Sequence, residues 1–317
     1  MRRSLQILLI GHGSSALRFA NILNQLHHQI TVFVHRKGLK VNPNFKQVSN
    51  LKNIKGKFDA AIISSPTATH LHYLEIMIKN KIPVLVDKPI AHETKNLKQI
   101  INLASKNQVY LQVGFNFRYL PIITTIKKYL DENKLGKILS AELYVGQYLP
   151  FWRPQKDYTQ TYSAHHEQGG GVALDLIHEI DLALFFFPQL KFKVEQAQKL
   201  SALKINCEDY VEISSQSPRV LIKLDYLNHR KTRVYQIVGE RGSLYCDIIN
   251  QQLVFTDDKG QEKIIKQAKY FDLMGSYATQ LKDFLTKIKE APQLSDRFLG
   301  IDALQIALKA RRHYVSK

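Results

Sequence analysis

Leu5-Gln6-Ile7-Leu8-Leu9-Ile10-Gly11-His12-Gly13-Ser14-Ser15-Ala16 is the stretch on which the reading of this chain turns. The apolar run Leu5 to Ile10 reads as a buried strand, and the pattern from Leu17 to Leu26 reads as a helix. Between them stands Gly-x-Gly-x-x-Ala, in the context that a dinucleotide fingerprint requires. Gly11 permits a tight turn. Gly13 lets a diphosphate approach the backbone at the helix N-terminus, where free N–H groups and the helix dipole favour anions. Ala16 lets helix and strand pack closely. Ser14 and Ser15, between these residues, are expected at the cofactor as well.

The next strand is Ile30 to Val34. A carboxylate usually stands about 20 residues beyond the glycines and holds the ribose 2′-hydroxyl of NAD. Here the residues are His35, Arg36 and Lys37, and no Asp or Glu occurs before Asp59. A guanidinium grips a 2′-phosphate that a carboxylate would repel. The expected cofactor is therefore NADP(H), with Arg36 on the 2′-phosphate and NAD(H) as the alternative.

Farther along, Phe58–Ser64, Ile82–Val86 and Val109–Gly114 read as strands, with helices running to Asn80 and over Thr94–Lys106. This alternation predicts an α/β, doubly wound parallel sheet. Ligands bind at the carboxyl ends of such strands, where Asp87-Lys88-Pro89 is placed. Pro89 restricts Lys88 to extended backbone and holds it there. His70 and His72 read as cap and surface residues, since no third metal ligand lies nearby.

The 317 residues are enough for two domains. No apolar run approaches the roughly 20 residues that span a bilayer. Arg2-Arg3 before a short apolar run imitates a twin-arginine signal but leads straight into the glycine turn, so a cytoplasmic protein is expected. Cys207 and Cys246 are too few and too isolated for a metal site or disulfide framework. The formal net charge of +18 suits anionic ligands such as nucleotides or sugar acids. The lysines are scattered, and no basic block interleaves with aromatics, which argues against nucleic acid as partner.

In the second half, Pro121–Asn133 reads as a linking helix and Ile138–Tyr148 as a strand. A long aromatic loop follows, carrying Trp152, Arg153 and Tyr162, a mixture suited to a sugar ring with an anionic group. Gly169-Gly170-Gly171 precedes a helix expected over Val172–Phe186. Asp175, His178 and Asp181 then fall at i, i+3 and i+6, so that neighbours touch. Beyond Phe192, short β-rich runs separated by turns predict an antiparallel sheet, and two helices close the chain.

The glycine motif, Ser65-Pro66-Thr67-x-x-His70, Asp87-Lys88-Pro89, Gly114-Phe115-Asn116-x-Arg118 and Gly169-Gly170-Gly171 followed by Asp175 and His178 resemble the Gfo/Idh/MocA family of sugar oxidoreductases. The usual family tripeptide is Glu-Lys-Pro, and Asp87 departs from it conservatively. The family spacing is Asp-x-x-x-His-x-x-Asp, so Asp175 to His178 is one residue short.

The resemblance implies a Rossmann domain, taken as 1–118, and a second domain with a mostly antiparallel open sheet, taken as 119–317, whose last helices can pack back on the first. It implies hydride transfer between nicotinamide and a sugar-like substrate, here leaning toward acidic or nucleotide-linked sugars. Ser65, Pro66, Thr67, His70, Asp87, Lys88 and Asn116 are then expected at the cofactor. Arg118, Trp152, Arg153, Tyr162, Asp175 and His178 are expected at the substrate with Lys88. His178 would act as proton acceptor, Asp175 or Asp181 would orient it, and Lys88 would stabilise the alkoxide. Homodimers or homotetramers through the second sheet are implied as well. The rival readings are a cofactor-retaining glycosidase or epimerase-like enzyme, and a dinucleotide-sensing protein without catalysis.

Overall fold

The computed structural model of the chain describes residues 3–34, 45–265, 271–290 and 300–315. Arg36 and its expected contact to a 2′-phosphate lie outside them. The chain divides into two compact units, Met1–Asn116 with Tyr277–Ile301 and Phe117–Ser276 with Asp302–Lys317.

The first unit is built on six parallel strands: β1 (Gln6–Ile10), β2 (Gln29–Phe33), β3 (Lys46–Val48), β4 (Ala60–Ile63), β5 (Val84–Asp87) and β6 (Leu111–Gly114). Their order is β3-β2-β1-β4-β5-β6. The chain starts in the middle, winds outward to β3, then crosses to β4 on the other side of β1. The order reverses between β1 and β4, which is where a doubly wound sheet opens a ligand crevice. The central strands are apolar throughout because helices cover both faces of such a sheet. Ile7 to Ile10 and Ala60 to Ile63 are all at or below 2% exposure.

The helices α1 (Ser14–Gln25), α2 (His70–Lys79) and α3 (Leu97–Lys106) make the crossovers of this unit. The stretch from Tyr277 on completes it: Phe284 stacks on Tyr110, and Tyr277 meets Phe19 edge to face.

The second unit carries eight strands: β7 (Ile138–Gly146), β8 (Lys193–Gln198), β9 (Tyr210–Gln216), β10 (Arg219–Asp225), β11 (Thr232–Gly239), β12 (Gly242–Asp247), β13 (Gln252–Asp257) and β14 (Glu262–Ile264). The order is β14-β13-β12-β11-β7-β10-β9-β8, antiparallel except that β7 pairs in parallel with β10. Ala141, Leu143 and Val145 of β7 are buried, and Tyr144 between them belongs to the other face. α4 (Pro121–Asp131) starts on a proline, which pre-sets the first helical φ. α5 (Val172–Asp175) and α6 (Ile177–Phe186) pack on the buried face of the sheet.

The expected continuous helix over Val172–Phe186 is therefore broken. Leu176, at φ −101° and ψ 25°, ends α5 and opens α6. The two three-residue edge strands, β3 and β14, also escape the sequence pattern. Helices α7 (Leu273–Glu290) and α8 (Ile301–Val315) follow. Among the described residues, no helix is long and apolar enough to cross a membrane.

Candidate active site

β1 ends on Gly11, whose φ of +124° suits glycine and whose Cβ, if present, would lie 2.2 Å from the Ser64 carbonyl oxygen. Gly13 is the opposite case. Its φ is an ordinary −78°, and no atom lies within 4 Å of where a Cβ would stand. No side chain caps α1. Its first N–H groups thus have no side-chain partner at the cap, beside exposed Ser14 and half-buried Ser15. Ala16, at 1% exposure, packs inward. These residues fit the diphosphate of a dinucleotide.

The ends of β4 and β5 are tied together. Ser64 Oγ donates to Asp87 Oδ2 at 2.7 Å, so one oxygen of Asp87 serves the fold. Gly114 keeps the space beside Asp87 open, for a Cβ there would lie 3.2 Å from Oδ1. Ser65 Oγ shares a hydrogen bond with Thr69 Oγ1 at 2.8 Å, Pro66 is exposed and Thr67 is half-buried.

His70 is not the surface residue that the sequence suggests. It is 1% exposed, and its Nδ1 and Nε2 lie 2.9 Å from the carbonyl oxygens of Pro89 and Ser65. Burial lowers its pKa against the opposing pull of the two carbonyls and Asp87. The ring clamps the turn after β4 to the turn after β5, where half-buried Lys88 precedes Pro89 through a cis bond. Asn116 is 2% exposed. The Gln280 amide, oriented to accept, takes the N–H groups of Phe115 and Asn116 at 3.1 and 3.2 Å.

In the second unit, the acids around His178 have separate tasks. Arg118 donates from Nε to Asp181 Oδ2 at 2.8 Å and from Nη2 to Oδ1 at 2.5 Å, a two-pronged ion pair in the interior. Burial opposes the Arg118 charge, but the adjacent carboxylate outweighs it and raises the pKa. Asp181 therefore holds Arg118.

The imidazole of His178 instead stacks on Phe117, with ring centroids 4.1 Å apart and planes 7° from parallel. The Arg233 guanidinium lies over the same Phe117 ring, 4.7 Å from its centroid. A parallel ring at stacking distance fills one face, so the guanidinium takes the other. Arg233 is itself held by Glu179, with Nε 2.8 Å from Oε1, and Tyr235 donates to the same carboxylate at 2.8 Å.

Asp175, 8% exposed, accepts from the Tyr226 hydroxyl at 2.7 Å and from Tyr162. Tyr162 leaves its ring 42% exposed while its hydroxyl reaches Asp175, and Arg153 lies over that ring. The Asp175 carboxylate raises the Tyr162 pKa, with burial adding to it. Asp175 also lines a cavity of about 210 Å³ within this unit. Its walls are Val145 and Gln147 from the end of β7, Trp152 from the aromatic loop, and Leu176 at the helix break. Lys231, Thr232 and Arg233 close it where β11 begins. Trp152 is fixed by donating Nε1–H to the Gln147 carbonyl at 2.9 Å and by an edge contact to Tyr226.

Glu208 lies beneath α5, fully buried, and accepts from Ala173 N–H at 3.2 Å. Burial pushes its pKa up to about 7 against the pull of the backbone donors and Arg311. The triple glycine serves this packing. A Cβ on Gly171 (φ +107°) would stand 2.3 Å from Glu208 Oε1, and one on Gly170 would stand 2.3 Å from the Tyr162 carbonyl oxygen.

The sequence reading missed Glu179, Glu208, Tyr226, Lys231 and Arg233. A signal existed only for Glu179, an acid inside an otherwise apolar helix. The others are single polar residues at strand ends, with nothing local to mark them.

Comparison with known proteins adds the following. Residues 5–115 match the oxidoreductase family with an NAD-binding Rossmann fold that bears the Gfo/Idh/MocA name, and residues 123–245 match the GFO/IDH/MocA C-terminal domain. The chain is 26% identical over 226 residues to glucose-6-phosphate 3-dehydrogenase of Bacillus subtilis, a match spanning 67% of this chain and 64% of that protein. It is 22% identical over 276 residues to inositol 2-dehydrogenase of Rhizobium meliloti, covering 82% and 79% of the two chains. An oxidoreductase from Agrobacterium radiobacter, solved in complex with NAD+, L-tartaric acid and magnesium, superposes with a TM-score of 0.81 at 16% identity, covering 99% of this chain and 97% of that one.

Proposed function

The chain belongs to the Gfo/Idh/MocA oxidoreductase family, and on that premise we propose that it transfers a hydride between NADP(H) and a hydroxyl- or carbonyl-bearing carbon of a sugar or sugar derivative. The observation that carries this reading is the Gly11–Gly13 turn, open above the N-terminus of α1 at the switch point of the sheet. The named relatives, dehydrogenases of a sugar phosphate and of inositol, support the substrate class.

A nicotinamide dinucleotide, held by Gly11, Gly13 and the N-terminus of α1, would supply the hydride acceptor or donor. In oxidation, His178 takes the proton of the substrate hydroxyl as the carbon yields its hydride and the carbonyl forms. In reduction it returns that proton. Imidazole suits the task because it titrates near neutral pH. Stacking on Phe117 holds the ring in one plane. Lys88 is kept in place by the His70 clamp on the following proline, and an ammonium so held is of the type that lowers the cost of negative charge developing on an oxygen. Asp175, anchored by the hydroxyls of Tyr226 and Tyr162, accepts from a substrate hydroxyl in the cavity.

The preference for NADP(H) rests on Arg36 and on the absence of any acid before Asp59. The outer face of the eight-stranded sheet, where Lys223 lies over the rings of Tyr144 and Tyr210, is the surface we assign to pairing of copies into dimers or tetramers.

Fluorescence titration of the pure protein with NADPH and NADH is the test. NADPH is expected to bind at least about tenfold tighter, the effect of one well-placed charge pair. Equal affinities would remove the role given to Arg36. A panel of sugars and polyols then reads stoichiometric cofactor reduction. Product formation with no net change in cofactor would move the protein to the cofactor-retaining class.

A further inference from the structure

Lys231 stands at the cavity of the second unit, whose lining carboxylate, Asp175, is held by the Tyr226 hydroxyl. It lines the space that Trp152 and Asp175 also line, and among the described residues it makes no ion pair. Its neighbour Arg233 is different, since that guanidinium is held by buried Glu179. The two cations thus lie side by side, one neutralised and one not. Burial and the repulsion of Arg233 both disfavour the Lys231 ammonium, and no carboxylate offsets them.

The loop that carries Lys231 is firmly built. Asp225 Oδ1 accepts the N–H groups of Leu227 and Asn228, both at 2.9 Å. The Asn228 amide donates to Tyr144 Oη and Thr232 Oγ1 at 3.0 and 3.1 Å, and its side-chain oxygen accepts from Arg230 N–H at 3.0 Å. His229 stacks on Tyr148 at 4.2 Å. The root of the lysine is therefore fixed, while its side chain remains at the solvent edge. Trp152 lines the same cavity, and an aromatic lining residue is of the kind sugar rings lie against.

We propose that Lys231 is a specificity residue that receives an anionic substituent of the sugar, a phosphate or a carboxylate, while the ring lies between Trp152 and Asp175. The proposal rests on the oxidoreductase reading for what the bound sugar undergoes, but its binding step is tested apart from turnover. The strand-end position of Lys231 allows it to be changed without disturbing the core.

Isothermal titration calorimetry on the full-length protein saturated with cofactor decides it. The ligands are matched sets: D-glucose, D-galactose and D-mannose, each as the neutral sugar, the 6-phosphate and the uronate. Wild type is expected to bind at least one phosphate or uronate about tenfold or more tighter than its neutral parent, as one charge-assisted pair provides. Lys231→Gln should bring that ratio close to one, and Lys231→Arg should restore most of it. Preference for phosphates over uronates, or the reverse, identifies the anion. Equal binding of neutral and anionic sugars by wild type, retention of the preference in Lys231→Gln, or no binding by any ligand of the sets overturns the proposal. Failure of the oxidoreductase reading shows itself elsewhere, as absence of NADPH and NADH binding or of any sugar-dependent reduction.

Discussion

His178 lies flat on Phe117, ring on ring, and the far face of that phenyl ring carries Arg233. The candidate proton acceptor is thus oriented by an aromatic surface that is itself backed by a guanidinium and, through it, by Glu179. Phe117 is a positioning residue. Phe117→Leu keeps an apolar side chain but removes the flat support. It should lower kcat about tenfold with little change in KM for the cofactor, since small misplacements of an acid–base group are costly. The pH–rate profile should shift with it. His178→Asn should lose about 10² to 10⁴ in turnover at unchanged cofactor affinity.

Arg118 and Asp181 should reveal themselves in stability rather than in chemistry. Their side chains are 16% and 1% exposed. Arg118→Met leaves a buried carboxylate without its counter-charge, which costs about 3–5 kcal/mol. Thermal denaturation should show a large fall in Tm. The double variant Arg118→Met with Asp181→Leu should recover much of it, because an apolar pair needs no neutralisation.

Glu208 should make the protein less stable as pH rises through the weakly acidic range. Its carboxyl titrates at about 7 in the folded chain against an ordinary 4.5. Between these values the folded state holds a proton that the unfolded state has released, so stability falls with rising pH from about 4.5 to 7 and levels above it. The full effect is about 3 kcal/mol at 1.4 kcal/mol per unit. Glu208→Gln removes this titration. Denaturation midpoints at pH 5 and pH 7.5 should differ less in the variant than in wild type.

The glycines should separate into two kinds. Gly11→Ala and Gly171→Ala put a Cβ where backbone or carboxylate already stands, at positive φ, and should destabilise by about 2–4 kcal/mol. Gly13→Ala meets open space at a φ any residue adopts, so the apoprotein should melt near the wild-type temperature. It should nevertheless bind NADPH and NADH at least about tenfold more weakly, because the methyl group occupies the approach of the diphosphate. Differential scanning fluorimetry with and without cofactor separates the two outcomes.

What could be read from the amino acids alone was local in character. The turn at Gly11 and the alternation of apolar strands with amphipathic helices are written within stretches of a dozen residues, and they lead directly to the parallel sheet. Arg118 shows the other case. Its type and place suited a substrate contact, but its actual partner stands on α6, far along the chain, and nothing local announces it. Glu179 with Arg233, Tyr226 with Asp175, and Glu208 beneath Gly171 are likewise long-range pairings. The break at Leu176 was hidden because no Gly or Pro stands between Val172 and Phe186 to mark it. It puts Asp175 on one helical segment and His178 on the next, at the point where the spacing is one residue short of the family pattern. β3 and β14 have too few residues to show alternation.

The division of the first unit between two distant stretches of chain bears on the order of synthesis. Residues up to Asn116 leave the ribosome first and bring every strand of the six-stranded sheet with them. The surface that receives Phe284, Tyr277 and Gln280 stays uncovered until the stretch from Tyr277 to Phe284 has been made. The continuous segment of the second unit, Phe117–Ser276, emerges in between. Each unit waits for its own later stretch, Tyr277–Ile301 for the first and Asp302–Lys317 for the second. A nascent chain arrested before Tyr277 would present an apolar face to chaperones.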